Sequence, residues 1–151
     1  MFKLSKRSLS ELEGVNQKLV DVVKYAIDLT CVDFGITDGL RTKEEQQEMV
    51  KNRASSTMNS KHLTGNAVDV AAFIGSRLSW EVLLYDDIAN AFRTAATELD
   101  TPIRWGAAWH FWDIREWGGS MESLMNQYVD LRRSQNRTPF VDACHFELSG
   151  N

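Results

Sequence analysis

Three histidines occur in the 151 residues, and two stand where they could do metal chemistry. Ser60-Lys-His62-Leu-Thr-Gly65-Asn-Ala-Val-Asp69 offers an imidazole and a carboxylate separated by a Thr-Gly step. Far downstream, Asp142-Ala-Cys-His145-Phe-Glu147 offers a second imidazole between two carboxylates. Two histidines and an aspartate suit zinc, which in catalytic sites takes about three protein groups and keeps one position for water. Asp69 is the most informative acid, because it is the sole charge in the apolar run 67–73. A carboxylate there must be paired, hydrogen-bonded or metal-bound to offset its desolvation.

With His62, Asp69 and His145 as ligands, Zn2+ would acidify a water and polarise an amide carbonyl, and Asp142 would take up the proton and return it to the departing amine. Glu147 is the rival base. In an extended segment it shares a face with His145, which equally suits a partner that holds a ligand imidazole. The plainer reading, in which both histidines are ordinary half-buried polar residues, stays open on spacing alone.

Further candidates surround this pair of motifs. Arg41 could hold a developing oxyanion or a substrate carboxylate, or form a surface ion pair with Glu44, Glu45 or Glu48. Ser60 is placed to hydrogen-bond substrate or loop backbone, and Trp109 and His110 are read as substrate-facing or structural. Cys144 would turn into the core if it alternates with His145 in a strand. There is no His-Glu-x-x-His helix, P-loop, dinucleotide fingerprint or Gly-x-Ser-x-Gly elbow, which closes the usual routes to other zinc hydrolases, nucleotide enzymes and serine hydrolases.

The elements that must position these groups follow from apolar periodicity. Leu12, Val15, Leu19, Val22, Val23, Ala26 and Ile27 recur at helical spacing over 10–30, with Gly14 able to set off a leading turn. Val32, Phe34 and Ile36 alternate as a strand that ends in the turn before Arg41, and Thr42 with Glu45 forms a capping box for a helix to about residue 53. A polar loop over 54–60 leads into the first motif, and a strand is expected over 67–73. After a turn at 75–79 come a helix over 80–99, a strand over 103–109, an aromatic segment, a helix over 120–133, and a last strand over 140–148. This order predicts an α+β fold, a small, mostly antiparallel sheet with helices packed against it.

Length and composition predict one globular domain over 1–151, with 43% hydrophobic and 25% charged residues. A net charge of -4 gives no global attraction to nucleic acid, and the basic groups Lys3-Lys6-Arg7 and Arg132-Arg133-Arg137 read as solvated faces. Two cysteines make no disulfide framework. No apolar stretch is long enough for a membrane span, and the basic start has no following apolar core of a signal peptide.

Taken together, Ser60-x-His62-x-x-x-Asn66-Ala67-x-Asp69 and Asp142-x-x-His145-Phe146-Glu147 resemble the zinc D-alanyl-D-alanine carboxypeptidase and dipeptidase group, in particular the L-alanyl-D-glutamate peptidases used as phage endolysins. Gly14-Val-Asn16, Asp38-Gly-Leu-Arg41-Thr42 with Glu45 and Gln46, Trp105-Gly106 with Trp109, and Pro139-Phe140 follow in the family's order. The resemblance implies a zinc D,D-peptidase-like fold, His62, Asp69 and His145 as zinc ligands, Asp142 as acid/base, and Arg41 near the substrate. It implies peptidoglycan stem peptides as substrate, a monomer, storage in the host cytoplasm, and holin-dependent release to the periplasm and wall. A D-alanyl-D-alanine carboxypeptidase or dipeptidase, and a noncatalytic wall-binding protein of the same fold, are the alternatives. Two departures stand out: an expected helical insertion at about 113–138, and Ala107-Ala108 where relatives tend to have glycine or a polar residue.

Overall fold

Residues 1–53 and 58–150 are described by the structure, a computed structural model, so the loop expected over 54–60 lies partly outside the described residues. Strands β1 (Asp33–Asp38), β2 (Ala67–Ile74), β5 (His145–Leu148) and β4 (Ile103–Trp105) lie side by side in that order. The short β3 (Arg77–Ser79) pairs with the end of β2. Every pairing is antiparallel. Around the sheet run α1 (Lys6–Glu11), α2 (Gln17–Leu29), α3 (Lys43–Lys51), α4 (Val82–Glu98) and α5 (Met121–Ser134), with single 3-10 turns at Lys61–Thr64 and Ile114–Glu116. This is the expected α+β architecture. No helix among the described residues is long and apolar enough to cross a membrane.

One face of the sheet makes the core. The apolar stripe of α2, with Leu19, Val22, Val23 and Ala26 fully buried, packs with α4. Phe146 of β5 stacks on Phe92 of α4 at 3.9 Å between ring centroids and lies parallel to Trp105 at 6.4 Å. Removing a ring of this size from water contributes about 2–3 kcal/mol. Side chains alternate along a strand, so Phe146 facing the core sends its neighbours His145 and Glu147 to the other face.

Several expected boundaries shift, each for a visible reason. Gly14 has φ +82 and divides the first helical stretch, leaving Asn16 to cap α2 by accepting from the Lys18 amide. The strand expected over 103–109 stops at Trp105, because the Ala108 amide turns back onto the Trp105 carbonyl. The last strand starts only at His145; before it, the Asp142 amide donates to Gly106 O and the His145 amide donates to Asp142 O. The turn expected at 75–79 contains β3, tied down by Tyr85, whose hydroxyl donates to Ser79 O and accepts from the Ala72 amide. The segment 113–138 contains α5, which is capped by Ser120 and buries Met121, Leu124 and Tyr128.

Candidate metal centre

Sheet register builds most of the centre. Asp69 on β2 stands directly opposite His145 on β5, the pairing that a shared site requires, and its other neighbour is Asp38 on β1. Residues opposite each other in an antiparallel pair share a face. His62 arrives separately, from the 3-10 turn, where Ser60 Oγ accepts from the His62 amide at 3.2 Å. Gly65, at φ +74, ends that turn and sends the chain into β2; a β-carbon there would lie 2.5 Å from Gly14 O. The Arg41 amide donates to His62 O at 2.9 Å, joining the end of β1 to this turn.

The two imidazoles are set in the same way. His62 Nδ1 lies 2.7 Å from Gly39 O, and a carbonyl only accepts, so Nδ1 carries the proton. Nε2 is then the nitrogen left for a ligand, and it faces Asp69 Oδ2 at 3.3 Å. His145 Nε2 donates to Glu147 Oε1 at 2.9 Å, and its Nδ1 points at Asp69 Oδ1 at 3.1 Å, where it donates while protonated and offers a lone pair once that proton is lost. Two ring nitrogens thus converge on the two oxygens of one carboxylate. Acceptors facing acceptors need a cation or a proton between them, and a nitrogen, nitrogen and oxygen set is what a divalent metal such as zinc takes. His62, Asp69 and His145 bring one donor atom each within 4.8 Å of one another, so the residues present fit a metal.

Where no metal is bound, protons fill those gaps instead. Burial alone would raise the Asp69 pKa, but hydrogen bonds to His145 and His62 hold it well below the usual carboxylate range. Burial works against charge on His145, yet Asp69 and Glu147 push it up to about 9. Glu147 is held low, burial being outweighed by His145 first and then Lys61 and Arg104. Asp69 and Glu147 thus stay ionised around the two imidazoles, a charge balance that suits a bound cation.

Asp142 stands at the rim, within 4.8 Å of the Asp69 carboxylate and the Cys144 thiol. Burial and then the charge of Asp69 raise its pKa, with the Cys144 thiol opposing. That thiol donates to Asp142 Oδ1 at 3.1 Å. Cys144 packs partly buried against the core, as expected, and its thiol also reaches Asp142; it precedes β5, where strand alternation does not govern its direction. Burial and the nearby Asp69 raise the thiol's own pKa and keep it protonated.

A cleft of about 490 Å³ opens over these groups, lined also by Arg41, Ser60, Trp109 and Glu147. Arg41 is 5% exposed, hydrogen-bonded to Asp38 and Gln46 and 3.5 Å from Asp69, so the alternative of a surface ion pair with a glutamate of α3 gives way to a buried one beside the site. Trp109 lies 5.3 Å from the His145 ring. His110 is not among the lining residues; it bonds Gln127 at 2.7 Å and stacks on Tyr128 of α5. Sequence reading missed Lys61, Arg104, Tyr128 and Arg132, which also line the cleft. The only signal for Arg132 was the basic end of α5, which reads equally well as a solvated face.

The family model for the phage L-alanyl-D-glutamate peptidase matches residues 1–149. The chain belongs to that family. The L-alanyl-D-glutamate peptidase of Escherichia phage T5 is 34% identical over 113 residues, which is 72% of this chain and 82% of the phage protein. That of Listeria phage A118 is 32% identical over 105 residues, 65% of this chain and 36% of the longer Listeria protein. Among solved structures, the Serratia marcescens L-Ala D-Glu endopeptidase ChiX superposes with a TM-score of 0.72 at 33% identity, over 98% of this chain and 90% of ChiX. The vancomycin-resistance D,D-dipeptidase VanXYg matches at a TM-score of 0.50 and 17% identity, over 90% of this chain and 51% of that one, which extends the likeness in fold alone. The zinc D,D-peptidase-like fold of this family member is thus the one its motifs predicted.

Proposed function

We propose that the protein is a zinc endopeptidase that hydrolyses the L-alanyl-D-glutamate amide bond in the peptide stems of bacterial peptidoglycan. The observation that carries this reading is the convergence of His62 Nε2 and His145 Nδ1 on the two Asp69 oxygens, in a chain of this peptidase family. His62, Asp69 and His145 would hold the zinc, which when bound acidifies a water and polarises the substrate carbonyl. Gly39 O and Glu147 fix the outer nitrogens of the two imidazoles and keep the inner ones turned to the metal.

Asp142 is the proton carrier. Its carboxylate takes the proton released by the attacking water and delivers it to the amine nitrogen as the amide C–N bond breaks. The buried Arg41, fastened to Asp38 and Gln46 and close to Asp69, keeps that carboxylate in place and adds positive charge where the oxyanion develops. Trp109 forms an apolar wall of the cleft against which a peptide can lie, and Ser60 holds the His62 turn. His110 supports α5 behind that wall. We take residues 1–151 as one monomeric catalytic unit with a helical insertion at about 113–138, made in the host cytoplasm and delivered to the wall through a holin.

The test is digestion of purified peptidoglycan with mass analysis of the products, run beside metal analysis. New L-alanine carboxyl ends and free D-glutamyl amino ends are expected from the wild type, with about one zinc per chain. His62→Ala should lose the zinc and the cleavage together. Release of D-alanine without those ends would assign a D,D-peptidase activity instead, and zinc retained at full stoichiometry in His62→Ala would reject the ligand set.

A further inference from the structure

Four cationic side chains outside the metal centre line the cleft: Arg41, Lys61, Arg104 and Arg132. Three are already committed. Arg41 is bonded to Asp38 and Gln46. Lys61 lies 3.5 Å from Glu147 and donates to Leu148 O. Arg104 donates to Trp109 O and has its guanidinium over the Trp109 and Trp112 rings, at 5.2 and 4.4 Å from their centroids. Arg132 differs. It is half-buried on α5, its guanidinium donates to Thr138 O at 3.2 Å, and it has no carboxylate partner among the described residues.

A glutamyl residue on the amine side of a scissile bond carries two carboxyl groups, of which only one can continue the peptide. A free carboxylate therefore sits a few bonds from the scissile nitrogen in every such substrate. Near a site whose metal set contains Asp69, and with Asp142 and Glu147 also lining the cleft, that charge is repelled unless a cation receives it. A guanidinium suits the task, because its fork of donors matches a carboxylate with two parallel hydrogen bonds. Resting on the peptidase reading above, we propose that Arg132 is the specificity-determining residue that binds the free carboxylate of the D-glutamyl residue.

The surroundings build the subsite. Tyr128 lies one helical turn before Arg132 on the same face of α5, is buried, and lines the cleft with it. Its hydroxyl accepts from the Phe140 amide at 3.2 Å, and Arg132 holds Thr138 O, so the two side chains clamp the segment that leads to Asp142. Carboxylate binding at Arg132 would thus set the substrate relative to the proton carrier. The helix that departs from the expected family spacing is, on this account, the element that reads the acidic half of the substrate.

The experiment compares two peptides that differ only in the D-glutamyl residue, one with the free carboxylate and one with it converted to the carboxamide. The zinc-loaded wild type, Arg132→Lys and Arg132→Gln are each measured for kcat and KM on both. The wild type is expected to prefer the acid by roughly 10- to 100-fold in kcat/KM, mostly through KM. In Arg132→Gln that ratio falls close to one, and in Arg132→Lys it is intermediate. An unchanged ratio in Arg132→Gln, or equal slowing on both peptides, overturns the proposal and leaves Arg132 a clamp on Thr138. The wild-type comparison decides even if a variant fails to fold: cleavage of both peptides at equal rates removes the carboxylate subsite alone. Cleavage of neither peptide at the alanyl-glutamyl bond rejects the proposed function, and the subsite with it.

Discussion

A single proton position on each histidine determines what the centre can bind. Gly39 O takes the Nδ1 proton of His62 and Glu147 takes the Nε2 proton of His145, so opposite nitrogens of the two rings face Asp69. Glu147→Gln retains the shape but removes the charge behind His145, and zinc affinity should fall about 10- to 100-fold, read by competition with a chelating dye. Asp142→Asn should keep zinc and fold while losing roughly 10²–10⁴-fold in kcat, the range of a lost general acid/base; undiminished turnover would remove Asp142 from the mechanism. Away from the cleft, Asp86 on α4 is buried with neither oxygen hydrogen-bonded among the described residues, and burial, then Glu122 and Asp87, push its pKa up to about 6. The folded protein therefore keeps this proton at pH values where the unfolded chain has released it. Stability is full below about pH 4 and lost as pH rises through about 6. Relative to wild type, Asp86→Asn should gain on the order of 2–3 kcal/mol between pH 4 and pH 8 in denaturant titrations, and a pH-independent difference would contradict this.

At the level of elements, the placement of Asp142, the proposed proton carrier, depends on a close backbone contact. A β-carbon on Gly106 would lie 2.2 Å from Asp142 O and 2.9 Å from the His145 β-carbon. Gly106→Ala must push the Asp142 turn away from β4, so we expect about 1–3 kcal/mol of lost stability and a fall in kcat larger than any change in zinc content. Calorimetry and metal analysis separate the two effects. Helices were legible because α2 and α4 carry apolar stripes and α3 carries a capping box. Strand ends were not, because β4 and β5 stop where amides turn to local carbonyls, and such turns leave little mark on hydropathy. The His62, Asp69 and His145 set was legible through residue type and through one charge in an apolar strand. The partners behind it were less so: Gly39 contributes only a carbonyl, which any residue has, and the contact between Cys144 and Asp142 depends on a turn that was read as strand.

Across the whole molecule, the centre joins parts of the chain that are far apart in sequence: the end of β1, the turn at Lys61–Thr64, β2 and β5. Metal that binds only this folded arrangement stabilises all of it, by about 2.7 kcal/mol at a free zinc concentration roughly 100 times the Kd. Stripping the metal with a chelator should lower Tm by several degrees, and restoring zinc should recover it; for His62→Ala, chelator should leave Tm unchanged. The α+β class was readable at this scale because the order of helical and alternating segments leaves few arrangements. The cationic cleft was not, since Lys61, Arg104 and Arg132 come from three separate elements and only tertiary packing brings them together.

The register between Asp69 and His145 bears on how the chain avoids misassembly. Sliding β5 by one residue against β2 would turn Phe146 out into water and bring His145 and Glu147 into the apolar interior. Such a slipped state forfeits the stack on Phe92 and the metal at once, so two unrelated forces reject the same error. If the proposed ligand set is right, zinc supplied during refolding would act as a proofreader of strand alignment, rewarding only chains whose sheet has closed in the right frame.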